Sequence, residues 1–247
     1  MAFIQASFFS SVLIKQVALY AIVPEGKPGP FPVLYLLHGL SDDHTIWHRR
    51  TRIEWYVRDL PLIVVMPDGF RSFYTDHSGG PAFGRYMLED VIGFSERTFP
   101  ALKDRAGRCI GGLSMGGYGA MRLALENPGI FVSANSHSGS GYPWKRDDPE
   151  FKRMFGTGAE GSAHDLEALA GKLKRCRKPA PQILMDCGTE DFLLQENRGI
   201  HAGFEKLKLP HEYREFPGAH DWDYWDLHIQ EALKFHCQAL GIGDGKR

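Results

Sequence analysis

The sequence predicts an α/β protein, with a mostly parallel central sheet of about eight strands and helices on both faces. Three observations carry that expectation. Short runs that are apolar on both faces, each bounded by Gly or Pro, recur along the chain. Central parallel strands covered on both sides read this way. Segments with helical apolar spacing alternate with these runs, and that alternation implies a doubly wound sheet. A length of 247 residues suits one large α/β domain with a substantial core.

The elements follow in order. Residues 1–26 are apolar but lack the basic start of a signal peptide, and "KQVALYAIVP" alternates. Two antiparallel strands are therefore expected there. Buried strands are expected at residues 31–39 ("FPVLYLLHG"), 60–69 ("LPLIVVMPDG"), 107–113, 130–139 and 180–188. "HEYREFPG", at 211–218, alternates polar and apolar residues and reads as a last, more exposed strand. Helical patterns cover about 45–58, 86–99, 115–127, 165–176, 195–208 and 222–240.

Residues 139–161 break this rhythm, with Pro, Gly and aromatics at irregular spacing directly after the sixth strand. Ligands in such folds bind at the carboxyl ends of the strands. The insertion is thus a candidate lid or pocket wall. No linker, repeat or low-complexity stretch interrupts the chain, so residues 1–247 read as a single domain.

A net charge of -1 gives no reason to expect nucleic acid or an anionic membrane surface as partner. The one basic run, 171–179, falls where a helix should end, and cations there oppose the helix dipole. No stretch reaches the length of a membrane-spanning helix. Cys109, Cys176, Cys187 and Cys237 show no C-x-x-C spacing and demand no disulfide, so a soluble, cytoplasmic protein is expected. The irregularly placed aromatics leave homo-oligomerisation open.

The most informative stretch is "RCIGGLSMGGYGAMRLAL", residues 108–125. A phosphate loop of the G-x-x-x-x-G-K-[ST] kind needs a lysine, and none lies between Lys103 and Lys145. A dinucleotide fingerprint fails as well, because Arg122 stands where its last glycine should be. What fits is G-x-S-x-G, from Gly112 to Gly116, between a strand and a helix. Such a turn strains the serine and exposes its hydroxyl above the sheet. Ser114 is the candidate nucleophile, and the Met115 N–H would face a developing oxyanion.

A serine hydroxyl needs a base, and the base needs an orienting acid. In this turn type the chain order is Ser, then Asp or Glu, then His. His220, in "FPGAHDWDYW", sits in a loop between the last strand and the last helix, whereas the other downstream histidines fall on predicted strands or helices. In "MDCGTEDFLL", Asp186 lies within the strand, where its side chain would point into a helix layer. Asp191 lies beyond the turn and is the favoured acid, with Glu190 second. The second oxyanion donor is expected from Leu40, after His38 and Gly39, with His38 a structural residue of that loop. His44 and His48 are spaced i, i+4 near Asp42 and Asp43, but without a strong third ligand no metal is expected. Nothing in these motifs requires a cofactor. Trp47, Phe70, Phe73, Tyr74, Trp144 and Trp222 are candidates for the walls of a substrate pocket.

Taken together, "YLLHGLSDDHTIW", "LPLIVVMPDGFRSFYTD", "GLSMGGYGAMRLAL", "CGTEDFLL" and "PGAHDWDYW" resemble the esterase D family of α/β-hydrolases. That family includes tributyrin-type carboxylesterases and S-formylglutathione hydrolases. The resemblance runs from about residue 31 to 225. It implies an α/β-hydrolase fold, a Ser114–His220–Asp191 triad, and oxyanion amides on Leu40 and Met115. The formylglutathione hydrolases read like S-G-L-T-C in the oxyanion loop, whereas this chain reads "HGLSD" without the cysteine. The expected activity is hydrolysis of short-chain acyl esters, a small-molecule substrate class, through a covalent acyl-enzyme. Thioester hydrolysis and acyl transfer to an alcohol are the alternatives, since one triad serves all three. A binding protein with a vestigial site is the reading from another class.

Overall fold

The computed structural model describes residues 1–176 and 178–243. Strands β1 (Ala2–Ser10) and β2 (Lys15–Val23) form the expected antiparallel hairpin, in register from Ala2 opposite Val23 to Ser10 opposite Lys15. β3 (Val33–Leu37) and β4 (Ile63–Pro67) are buried along their whole length. So are β6 (Ser133–His137) and nearly all of β5 (Arg108–Leu113) and β7 (Gln182–Gly188). β8 (Glu212–Phe216) is the more exposed edge strand its alternation predicted. The eight form one sheet in the order β1-β2-β4-β3-β5-β6-β7-β8, parallel except where β2 meets β1 and β4. This is the α/β-hydrolase arrangement, and it puts the carboxyl ends of β3, β5, β7 and β8 along one rim.

Helices cover both faces. On one side α5 (Met115–Glu126), α7 (Leu166–Arg175) and α8 (Leu194–Lys206) pack through Met121, Leu169 and Phe204 against Tyr35, Ile110 and Ile183 of the sheet. On the other side α1 (Ile46–Arg50), α2 (Ile53–Val57) and α9 (Trp222–Leu240) pack through Trp47, Val57 and Ile229 against Leu34, Val64 and Leu184. Residues alternating along each strand serve the two cores in turn, as a period of two requires. α9 starts cleanly because Asp221 caps it, accepting the Tyr224 N–H, and ends on Gly241 in the left-handed conformation.

Two helical stretches depart from the sequence expectation. The pattern over 45–58 is split, because Thr51 is extended and its hydroxyl takes the Trp47 carbonyl. Asp226 of α9 then accepts the Arg52 N–H at 2.8 Å, a contact that no local pattern encodes. The 86–99 helix begins earlier, as α3 (Phe83–Arg85), and passes through a π-helical turn (Tyr86–Val91) into α4 (Ile92–Thr98). The insertion at 139–161 carries a 3-10 turn (Pro143–Lys145) and one short α-helix, α6 (Pro149–Phe155), started by Asp148 as cap and by the proline behind it. The basic run closes α7 with Lys172, Lys174 and Arg175, while Arg177 lies outside the described residues. Among the described residues no helix is long and apolar enough to cross a membrane.

Candidate active site

Ser114 joins β5 to α5 with φ 52° and ψ -116°, a conformation that costs a non-glycine residue on the order of 1–3 kcal/mol. The neighbours hold it there. Its N–H donates to the His137 carbonyl at 2.9 Å, and its own carbonyl accepts the Tyr118 and Ser140 N–H groups. Gly112 and Gly116 are needed for the bend. A Cβ on Gly112 would stand 2.7 Å from the Leu37 carbonyl oxygen, and one on Gly116 would stand 2.6 Å from the same atom. The turn therefore pushes against the end of β3, and its serine is left facing outward.

His220 arrives from the loop between β8 and α9. Its Nε2 lies 3.0 Å from the Ser114 Oγ, and its Nδ1 lies 2.9 Å from the Asp191 Oδ2. An ionised carboxylate only accepts, so Nδ1 carries the proton and Nε2 presents its lone pair to the serine hydroxyl. Burial opposes ionisation of Asp191. Hydrogen bonds from His220 and from the Leu193 N–H outweigh it and hold the carboxyl below the usual aspartate range. The imidazole is clamped between Phe192, 4.5 Å away, and Trp225, 4.9 Å away. Ser114, Asp191 and His220 thus meet from three separate loops of the rim.

The rival acids do other work. Asp186 sits in β7 and is buried in the helix layer, where it accepts the Tyr224 hydroxyl at 2.9 Å. His137 Nδ1 is 2.7 Å from its other oxygen, though off the hydrogen-bonding direction. Glu190 accepts the Gly218 N–H and the Thr189 hydroxyl, so it braces the loop that carries His220 without touching the imidazole.

Leu40 and Met115 flank the serine. Met115 opens α5, so its N–H has no carbonyl one helical turn back to bond. Leu40 lies in the loop after β3, which is held from beneath. His38 Nε2 accepts the Gly69 N–H at 2.8 Å, and its Nδ1 bonds the Gly39 carbonyl. Tyr74 fixes the same residue twice, since its hydroxyl accepts the His38 N–H at 2.9 Å and donates to the His38 carbonyl.

A cavity of about 390 Å³ opens over Ser114, within the range of small-molecule sites. Phe73 and Trp222 line it, together with Phe192, Leu193 and Trp225. Four of the aromatics expected in its walls do not. Trp47 is sealed in the core, donates its Nε1 proton to the Leu37 carbonyl, and supports Trp222 edge-on at 5.3 Å. Tyr74 is spent beneath the loop after β3, bonded to His38. Phe70 packs on Phe83 under Lys15, and Trp144 packs edge-on against Tyr142. In their place stand Phe192 and Arg146, one just past Asp191 and the other in the irregular insertion. Position next to Asp191 was a usable signal for Phe192, but nothing in the sequence pattern marked Arg146. His44 meets Tyr20 edge-on, and His48 stacks on Phe3. Among the described residues no cluster of three or more His, Cys, Asp or Glu could hold a metal.

The family model Esterase, described as "Putative esterase", matches residues 10–236. An acetyl esterase of Caldicellulosiruptor saccharolyticus is 33% identical over 95% of this chain and 98% of its own. Among solved structures, the fluorophosphonate-binding serine hydrolase FphF of Staphylococcus aureus superposes with a TM-score of 0.88. It is 30% identical, over 95% of this chain and 98% of its own. An S-formylglutathione hydrolase, FrmB, from the same organism gives 0.86 at 31% identity, with the same coverage of both chains. Matched over most of its length by the family model, and by relatives above 30% identity along nearly their full chains, this chain belongs to the Esterase family, serine hydrolases of the α/β-hydrolase fold.

Proposed function

We propose that the protein is a carboxylesterase that hydrolyses short-chain acyl esters with Ser114 as nucleophile, His220 as general base and Asp191 as its orienting acid. The observation that carries this reading is the bonded chain from Asp191 through His220 to Ser114, ending on a strained serine in a cavity. As the Ser114 Oγ bonds the ester carbonyl carbon, its proton passes to His220 Nε2, and the carbonyl π pair moves onto oxygen. Asp191 stabilises the imidazolium that results. The amides of Leu40 and Met115 are assigned to hold the oxyanion, whose collapse breaks the bond to the alcohol oxygen. His220 protonates that oxygen, takes a proton from the water that attacks the acyl-enzyme, and returns it to the Ser114 Oγ as the acyl–Oγ bond breaks and the acid leaves.

Walls of Phe73, Leu113, Trp222 and Trp225 around about 390 Å³ favour a small acyl group. The relatives carry names for two chemistries, acetyl ester and S-formylglutathione hydrolysis. The same triad acts on a thioester, so thioesterase activity is the second reading. Acyl transfer to an alcohol would need only that acceptor in place of water. The insertion at 139–161 supplies a wall of the cavity through Ser140 and Arg146, which supports its reading as a pocket wall. No disulfide joins the described cysteines, which is consistent with a reducing, cytoplasmic setting.

A fluorophosphonate probe tests the core of this proposal. Wild-type protein should be labelled and Ser114→Ala should not; equal labelling of both would sink it. A p-nitrophenyl ester series from acetyl to octanoyl should peak at or below butyryl, and an octanoyl maximum would refute the short-chain assignment. Product analysis with and without added alcohol separates hydrolysis from transfer.

A further inference from the structure

The cavity over Ser114 holds one permanent cation that ester hydrolysis as described does not use. Arg146, in the insertion between β6 and α6, lines it together with Ser114 and His220. Arg71, Arg108, Arg122 and Arg198 each pair with a glutamate. Among the described residues no carboxylate pairs with Arg146. Its one polar contact is Nη2 donating to the Ser140 Oγ at a long 3.4 Å. The guanidinium lies 5.1 Å over the ring of Phe151, which in turn packs on Phe73. A guanidinium has five N–H donors arranged as a fork, so most of its capacity is unused.

The acids nearby are occupied in other ways. Glu196 reaches Arg146 only through the Ser140 hydroxyl, and the same Glu196 oxygen already accepts the Gly141 and Tyr142 N–H groups. Asp221, which also lines the cavity, spends its carboxylate on capping α9. Asp42 is the remaining acid of the wall, and its half-buried position raises its carboxyl pKa and disfavours its charge. A half-buried guanidinium, set on a ring platform with its fork free, matches a planar carboxylate brought by a ligand.

We propose that the physiological substrate carries a carboxylate away from the bond that is cleaved, and that Arg146 selects it. The inference rests on the esterase reading of Ser114 and names the substrate class of that site. The carboxylate could stand on the acyl part or on the alcohol or thiol part. The recognition chemistry is the same for both, and two matched pairs of esters separate them. One pair is p-nitrophenyl pentanoate and mono-p-nitrophenyl glutarate, corrected for spontaneous hydrolysis. The other is phenyl acetate and 3-carboxyphenyl acetate.

The wild-type protein should prefer the anionic member of one pair by about tenfold in kcat/KM. Arg146→Gln should bring that ratio to about one, while Arg146→Lys keeps part of it. The preference should also shrink as salt rises. Absence of an anionic preference in both pairs, or its survival in Arg146→Gln, overturns the proposal. Those results leave the esterase reading standing as long as the neutral esters are cleaved. That reading falls if no ester is turned over and the fluorophosphonate label is absent, and this inference falls with it.

Discussion

Among the described residues two serine hydroxyls lie within hydrogen-bond distance of a histidine ring, and only one pair has the surroundings for chemistry. His220 Nε2 faces the Ser114 Oγ at 3.0 Å, and His236 Nδ1 faces the Ser133 Oγ at 2.8 Å. The first histidine is backed by Asp191, the second by the neutral side chain of Asn135 at 2.8 Å. Ser114 sits on a strained turn under a cavity, whereas Ser133 lies inside β6 and is fully buried. Burial pushes His236 down to about 3, so it stays neutral and cannot be charged by a departing proton at ordinary pH. Contact between the two side chains is thus the least discriminating feature. What separates them is the acid behind the ring, the exposed turn, and the room for a substrate.

The strongest attempt to break this contrast removes each hydroxyl in turn. Ser114→Ala should lower kcat/KM by about five to six orders of magnitude with an unchanged fold. Ser133→Ala should leave kcat/KM within about twofold, but cost about 1–3 kcal/mol in urea unfolding, because the buried His236 nitrogen loses its partner. Comparable activity losses in the two variants would erase the distinction. Next in size is the acid. Asp191→Asn keeps the shape but no longer enforces the proton on Nδ1, and kcat should fall by about 10⁴. A loss below about tenfold would mean that another acid, Asp186 or Glu190, can take its place.

Sequence reading preferred His220 to His236, and singled out Ser114, for reasons that can be named. Ser114 is marked by a local rule, since its two glycines and the strand-to-helix change are encoded within a few residues. His220 and Asp191 follow because each sits just past the carboxyl end of a strand whose apolar run is legible. Ser133 and His236 fall within a strand and a helix, where a core role is the natural expectation. The cavity wall was far less legible. Whether a tryptophan such as Trp47 points into the core or Trp222 into the cavity depends on packing between α1 and α9. The break in the 45–58 helix depends on Asp226, distant in sequence. Arg146 belongs to a segment with no periodicity, so its direction was undetermined until the chain had folded.

A smaller effect tests the buried pair through pH. The folded-state pKa of His236 lies near 3, below the ordinary value of 6.5. The unfolded chain therefore binds the extra proton first as pH falls. Stability contributed by the neutral ring is complete above about pH 6.5 and is lost as pH drops toward 3. His164, lowered to about 4 by burial, acts in the same sense and over much the same window. Each histidine contributes at most about 1.4 kcal/mol per pH unit. Urea unfolding between pH 6 and 4.5 should therefore show a shallower slope for His236→Gln, by about one proton. Equal slopes in both proteins would mean that His236 is not held neutral.

The mildest perturbation addresses a tie near Ser114 that has no counterpart at the buried pair, between the 139–161 insertion and the loop after β3. Arg71 grips Glu150 of α6 with its Nε and Nη2, at 2.8 and 2.7 Å. Its Nη1 reaches the carbonyl of Leu40, the residue assigned to the oxyanion, at 3.4 Å. Such an exposed ion pair contributes only about 0–1 kcal/mol to stability. Its removal should therefore barely move the melting temperature, yet it unties the insertion from the loop whose amide is assigned to the oxyanion. Arg71→Ala is expected to lower kcat/KM by about three- to tenfold, with most of the loss in kcat. Glu150→Gln should reproduce most of that loss, and the double variant should add little, as two residues of one tie require. Additive losses would show instead that Arg71 and Glu150 act on the site separately.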